Sequence, residues 1–370
     1  MDNRRISRYP APRALLKSIK TLTTREKEMP KHWDPPPDWL RIKTLDVHAA
    51  GEPLRIITSG LPPIPGKTML EKRRYAREHL DDLRTALMWE PRGHADMYGC
   101  ILTEAVSIDG HFGVLFLHNE GFSTMCGHGV IGLATAVLET GLITSAAGQP
   151  ILRIDTPAGR VTARARLENG RPREVSFHNV PSFVLALDQA VDVPGVGNLS
   201  VDLAFGGAFY VFCRADDLGV ELVTSEFRRL IDLGMRVKRA AAASLPIRHP
   251  LEEELGFLYG TIIVGSPGDP AHHSRNVCVF AEGEVDRSPT GTGVSARAAI
   301  HHAKGELKVG ESFVVEGLLG TCFSGRVVDV TQLGPYQAVV PEITGSASII
   351  GRCEFLIDPR DPLRRGFILR

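Results

Sequence analysis

Alternation of apolar and polar positions sets in at about residue 41. In IKTLDVHAAGEPLRIITSG, β-branched and polar residues alternate on both sides of Gly51, which predicts two strands joined by a tight turn. The period then changes. MLEKRRYAREHLDDLRTALMWE, residues 69–90, repeats its apolar positions at helical spacing with mixed charge between them, and Pro91 ends it. MYGCILTEAV and FGVLFLHN are predicted strands. QPILRIDTPAGRVTARARLENGRPREVSFHNV predicts a hairpin or meander with turns at Pro157–Gly159 and Gly170–Pro172. The second half repeats these kinds of segment: a strand–turn–strand in LSVDLAFGGAFYVF, a helix in TSEFRRLIDLGMRVKRAAAASL, strands in LYGTIIVGSP and NVCVFAEG, then a run of β-segments to CEFLI. Each half supplies strands, a charged surface helix, and one special turn leading into a second helix. The pattern predicts a duplicated α+β chain, not an alternating βαβ one.

The duplication is sharpest at two turns, EGFSTMCGHG (120–129) and EVDRSPTGTG (284–293). At an offset of 164 positions Glu120 falls on Glu284, Gly127 on Gly291, Gly129 on Gly293, and Cys126 on Thr290. After Cys126, positions 130–138 carry no charge and are apolar on every face, as in a helix enclosed by other elements. Gly141 supplies its stop. After Thr290, GTGVSARAAIHHAKG has the same length and stops at Gly305. Glycines at both starts allow close approach of a ligand to the backbone. Helix N-termini present unpaired N–H groups and partial positive charge, so two that meet would clamp a carboxylate.

A thiol at such a start is expected to ionise more easily than usual, which makes Cys126 a candidate general base. Thr290 cannot match it. An aliphatic hydroxyl resembles water, about 15.7, against about 8.5 for a thiol, a gap of roughly 10 kcal/mol for proton removal. Two thiols could take a proton from one face of a carbon and return it on the other. A thiol opposite a threonine should begin with proton abstraction and then do something else.

Composition narrows the field. With 43 basic against 43 acidic residues there is no basic excess for nucleic acid. The longest nearly apolar run, GVIGLATAVL, falls well short of the ~20 residues a membrane span needs. No GxGxxG or P-loop is present. Six cysteines, at 100, 126, 213, 278, 322 and 353, are spread without a CxxC pair, which fits a reducing compartment. All but Cys126 lack a turn context and read as packing residues. The adjacent pairs His272–His273 and His301–His302 point in different directions and lack an acidic or cysteine partner at ligand spacing, so no metal site is expected. Residues 1–30 hold eight Lys or Arg and three acids. A mitochondrial presequence has that bias, and so does a solvated basic arm, the reading favoured here. DPPPDW follows as an extended linker. The expected location is cytoplasmic, with the mitochondrion left open by the arm.

The segments GLPPIPGKTMLEKRRYAREHLDDLR, EPRGHADMYG, HNEGFSTMCGHG, GGAFY and DRSPTGTG together resemble the proline racemase family, from about residue 41 to the end. The resemblance implies two pseudo-symmetric lobes, each a curled, mostly antiparallel sheet around a central helix, as in diaminopimelate epimerase, with the active site between them. Residues 1–40 would be the arm and Pro-rich linker, 41–197 plus 345–370 the lobe of Cys126, and 198–344 the lobe of Thr290. Family members that racemise proline or epimerise 4-hydroxyproline carry cysteine at both turns. The Cys/Thr pair departs from them and resembles the branch that removes water from trans-3-hydroxy-L-proline. By that resemblance Cys126 takes the Cα proton and Thr290 borders the opposite face. Backbone N–H groups of Gly127, His128, Gly291 and Thr292 hold the carboxylate. Asp286 pairs with the ring ammonium, and Tyr98 and Phe280 form aromatic walls. His128 and the Cys126 thiol both remain open as the acid for the leaving hydroxyl. Glu120 and Glu284 brace their turns. The resemblance implies a small imino acid substrate, no metal or organic cofactor, no nucleic acid or membrane partner, and a homodimer. Proline racemase, 4-hydroxyproline epimerase and a non-catalytic imino-acid-binding homologue are the competing readings.

Overall fold

A computed structural model describes residues 33–143 and 149–369; the basic stretch 1–30, and with it the presequence question, lies outside the described residues. Residues 33–39 belong to a unit of their own, in which the Trp33 and Trp39 rings meet edge to face with centroids 5.9 Å apart. Everything that follows concerns the unit that begins at Leu40.

Two strands around Gly51 form as expected: β1 (Leu40–Ala49) and β2 (Glu52–Ser59), antiparallel, with Gly51 at φ +97° in the turn. The stretch read as one helix over 69–90 is two, α1 (Met69–His79) and α2 (Asp81–Met88), broken where Leu80 leaves helical geometry. The sequence TMLE encodes the start of α1 as a capping box: Thr68 accepts from the Glu71 N–H and Glu71 returns the bond. β3 (Tyr98–Thr103), β4 (Phe112–His118) and the short β5 (Gly121–Ser123) lead into α3 (Gly127–Glu139). The meander follows as β6 (Ile151–Thr156), β7 (Gly159–Glu168) and β8 (Arg171–His178). β9 (Ser182–Val193) is not among the strands the sequence pattern predicts. β10 (Gly197–Phe205), β11 (Phe209–Arg214), α4 (Phe227–Ser244), β12 (Leu258–Gly265), β13 (Ser274–Phe280), β14 (Glu284–Asp286) and α5 (Gly291–Ala303) come next. The chain closes with β15 (Ser312–Glu316), β16 (Cys322–Leu333), β17 (Tyr336–Gly345) and β18 (Ala347–Ile357).

The pairings repeat strand for strand. In one set β18 pairs antiparallel with β1, β1 with β2, β2 parallel with β3, β3 antiparallel with β4, β4 with β5 and parallel with β6, then β6–β7–β8 antiparallel. In the other, β9, β10, β11, β12, β13, β14, β15, β16 and β17 take the same places with the same senses. Two pseudo-symmetric lobes result, joined where β17 pairs with β8. β9 pairs with β10 and with β17, so the division expected at 197/198 falls inside a hydrogen-bonded hairpin.

Each lobe curls around one helix. α3 contacts β1, β2, β7, β8 and β18, and α5 contacts β9, β10, β11, β16 and β17. Residues 127–137 of α3 and 291–300 of α5 are all buried; α3 accordingly has no polar face, and in α5 the buried Arg297 donates to Ser274 and Asn276. Gly141 and Gly305 end the two helices at φ +69° and +74°. No helix among the described residues is long and apolar enough to cross a membrane.

The two central helices meet start to start. A β-carbon on Gly127 would lie 2.5 Å from the Gly291 Cα, and one on Gly291 would lie 2.8 Å from the Gly127 Cα. Only glycine fits on either side, since the obstacle is backbone. Gly127→Ala is therefore expected to cost about 1–3 kcal/mol by overpacking, read as a lower denaturant midpoint at unchanged m-value; an unchanged midpoint would show that the helix starts are not in contact.

Candidate active site

Cys126 is the N-cap of α3. Its backbone is extended (φ −146°, ψ 115°), and its sulfur accepts the Gly129 N–H at 3.2 Å. The turn that delivers it is braced from outside. Arg84 of α2 donates to the carbonyls of His118 and Asn119, and Arg73 of α1 donates to that of Phe122. In the other lobe Lys238 of α4 donates to the Ala281 carbonyl at the corresponding turn.

Thr290 occupies the same place at α5 with a different backbone. Its φ is +66°, a conformation that a β-branched residue rarely adopts, and its side chain does not cap the helix. The loop behind it holds it there. Ser288 N–H donates to Asp286, Thr290 N–H to Ser288 Oγ, and Asn276 to the Pro289 carbonyl. From the first lobe Glu52 accepts the Arg287 N–H at 2.7 Å, and Asp96 pairs with the Arg287 guanidinium at 3.0 Å. Thr290 Oγ is buried without a hydrogen bond of ordinary geometry, although the Cys278 thiol lies near enough to feel it.

One pocket gathers the expected residues. Tyr98, Cys126, Gly127, His128, Phe280, Asp286, Thr290, Gly291 and Thr292 all line it, around a cavity of about 20 Å³. That is room for about one water, so the walls are closed on one another in this state. Tyr210, Tyr259, Met125 and Cys278 complete the wall and were not singled out from the sequence. Cys278, expected to be a packing residue, is one of them. It stands two residues before Phe280 in NVCVF, so strand alternation puts both on one face, and that was the available signal. The wall is aromatic. Tyr259 and Phe280 stack at 5.2 Å, and the Tyr98 hydroxyl bonds to Ser123 and to the Tyr259 hydroxyl. The Tyr210 hydroxyl bonds Thr292 Oγ1 at 2.6 Å.

The two glutamates at offset 164 are not equivalents. Glu120 is exposed, whereas Glu284 is fully buried and pairs with His118 of the opposite lobe at 3.1 Å. The histidine pairs are absorbed elsewhere: His272 on Glu316, His273 and His301 beside Arg297, His302 on the Leu307 carbonyl.

Electrostatics correct one expectation. Cys126 does not have a depressed pKa. Burial pushes its thiol well up, the Asp286 carboxylate adds to this, and the Gly129 N–H and the Tyr98 hydroxyl only partly offset them. The helix-start effect is present but loses to desolvation in a closed pocket. Burial likewise lowers the His128 imidazole, so the pair stands as neutral thiol and neutral ring, with Nδ1 3.2 Å from Sγ. Glu52, fully buried between Asp286 and Arg287, has its pKa raised well above the usual carboxylate range by burial first and by Asp286 second. Two helix starts, one carboxylate and a sulfur around an aromatic-walled space can hold a carboxylate and a cation together and remove a proton from the carbon between them.

Fold and site define a two-lobed α+β enzyme with one pocket where the two central helices start. The family model for proline racemase matches residues 44–368, and the chain belongs to the proline racemase family. It is 46% identical over 332 residues to a protein of Colwellia psychrerythraea named trans-3-hydroxy-L-proline dehydratase, covering 90% of this chain and 94% of that one. It is also 46% identical to a Burkholderia multivorans protein named 3-hydroxyproline 2-epimerase, covering 89% and 98%. Among solved structures it resembles a hydroxyproline epimerase from Agrobacterium vitis with bound trans-4-hydroxy-L-proline, at TM-score 0.85 and 31% identity, covering 90% of this chain and 96% of that one.

Removing the Asp286 charge should make the Cys126 thiolate easier to form, because a neighbouring anion disfavours a second one. In Asp286→Asn the pH profile of Cys126 alkylation by iodoacetamide is expected to move to lower pH. A profile that stays in place or moves up would separate the two groups electrostatically.

Proposed function

We propose that the chain dehydrates trans-3-hydroxy-L-proline, giving an enamine that tautomerises to Δ1-pyrroline-2-carboxylate. The observation that carries this reading is the unequal pair of helix starts, a thiol at Cys126 and a hydroxyl at Thr290 around one pocket. The relatives named as dehydratases, that of Homo sapiens among them at 45% identity, support it. Gly127, His128, Gly291 and Thr292 offer backbone N–H groups to the substrate carboxylate, where negative charge grows as Cα loses its proton. Asp286 takes the ring ammonium. Once that cation sits on Asp286 the carboxylate no longer opposes a Cys126 thiolate, so substrate binding itself favours the base form. Tyr98 and Phe280 exclude water from the ring. Cys126 removes the Cα proton, the C3–O bond breaks, and the hydroxyl departs with a proton as water.

The lobes divide, in this reading, between β8 and β9 and between β17 and β18. Six free cysteines fit a reducing compartment, and we assign the chain to the cytoplasm. A homodimer is the assembly we propose.

A second reading, 2-epimerisation, has one observation in its favour: Cys278 puts another thiol in the pocket, directly opposite Asp286 across β13–β14. Ketimine formation from trans-3-hydroxy-L-proline decides between them, and racemisation of L-proline with deuterium uptake would overturn the dehydratase reading. Cys126→Ala is expected to lower kcat for dehydration by about 10²–10⁴-fold. Thr290→Cys is expected to gain inversion at Cα, measured by chiral chromatography of the recovered imino acid.

A further inference from the structure

Dehydration needs an acid as well as a base, since hydroxide is a poor leaving group. Substrate stereochemistry says where that acid must be. In trans-3-hydroxy-L-proline the hydroxyl is trans to the carboxylate, so it lies on the same ring face as the Cα hydrogen. A proton donor for the hydroxyl therefore belongs on the Cys126 side of the pocket. Thr290 and Cys278 stand on the other side.

His128 is on the required side. It sits in the first turn of α3, 3% exposed, with Nδ1 3.2 Å and Nε2 3.6 Å from the Cys126 sulfur. Tyr98 holds the ring edge-on, with centroids 4.8 Å apart. The Pro53 backbone lies close enough to favour the protonated ring. A neutral imidazole keeps one nitrogen free to accept a proton, and Nδ1 is the nearer to sulfur. Cys126, Tyr98 and Asp286 are the titratable groups around it.

We propose that His128 is a catalytic residue of this reaction, carrying the Cys126 thiol proton to the departing 3-hydroxyl; the proposal rests on the dehydratase reading above. Sulfur first gives its proton to Nδ1, leaving a thiolate beside an imidazolium. The thiolate then takes the Cα hydrogen as a proton. Its C–H electron pair becomes the C2–C3 double bond, and the C3–O bond pair leaves with oxygen. The imidazolium proton joins that oxygen, which departs as water. Cys126 is again a thiol and His128 again neutral, so the site resets without borrowing a proton, and no oxidant or reductant enters. This ion pair also answers the raised thiol pKa: the anion is needed only while its cation stands next to it.

The test compares leaving groups. Fluoride in trans-3-fluoro-L-proline leaves without a proton. His128→Asn is expected to lose about 10²-fold or more on trans-3-hydroxy-L-proline and at least about tenfold less than that on the fluoro substrate. His128→Gln, checked for an unchanged unfolding midpoint, should give the same split. Equal losses on both substrates would reduce His128 to a structural part, and full activity on the hydroxyl substrate would remove it from the mechanism. If the wild type makes no ketimine from the hydroxyl substrate, the dehydratase reading itself falls and the relay with it; if the wild type does and the split is absent, only the relay falls.

Discussion

Backbone contact between Gly127 and Gly291 is the constraint on which the rest of the structure depends. Each α-helix start carries about half a positive charge on unsatisfied N–H groups. Two of them pressed together in an apolar interior repel, and nothing in the helices relieves this, because neither has an acidic residue in its first turn. Curled sheets hold them in place by burying both helices on every side. An anion between the starts turns the repulsion into attraction. Asp286, close by but engaged with the Ser288 N–H, leaves that place to a ligand.

Within this symmetric frame the two lobes differ at the caps of their central helices. Cys126 uses its sulfur to cap its own helix, with ordinary backbone. Thr290 turns to φ +66°, and strain of this kind costs about 1–3 kcal/mol. The cost is met by the loop from Asp286 to Pro289, gripped by Asn276 from its own lobe and by Glu52 and Asp96 from the other. The wall opposite the sulfur is thus held from both lobes.

Much of this was legible in the residues. The turns EGFSTMCGHG and EVDRSPTGTG declare themselves by glycine, and the apolar run after Cys126 can only be an enclosed helix. What stayed hidden depends on register. Tyr259 sits inside a strand with no local signal, Cys278 has only its alternation with Phe280, and pairing across β12, β13 and β14 brings both to the pocket. β9 escaped because LALDQAVDV mixes charge into an alternating strand. The thiol expectation failed for another reason: a helix start can be read from sequence, but the degree of burial that outweighs it cannot.

β18 has a consequence for the order of assembly on the ribosome. The second lobe is nearly contiguous in the chain and is complete once β17 has emerged. The first lobe begins earlier, yet its β1 strand lacks an outer neighbour until residues 347–357 arrive. The half of the molecule that is translated first is therefore the last to finish, and throughout elongation it presents an unpaired strand border to its surroundings.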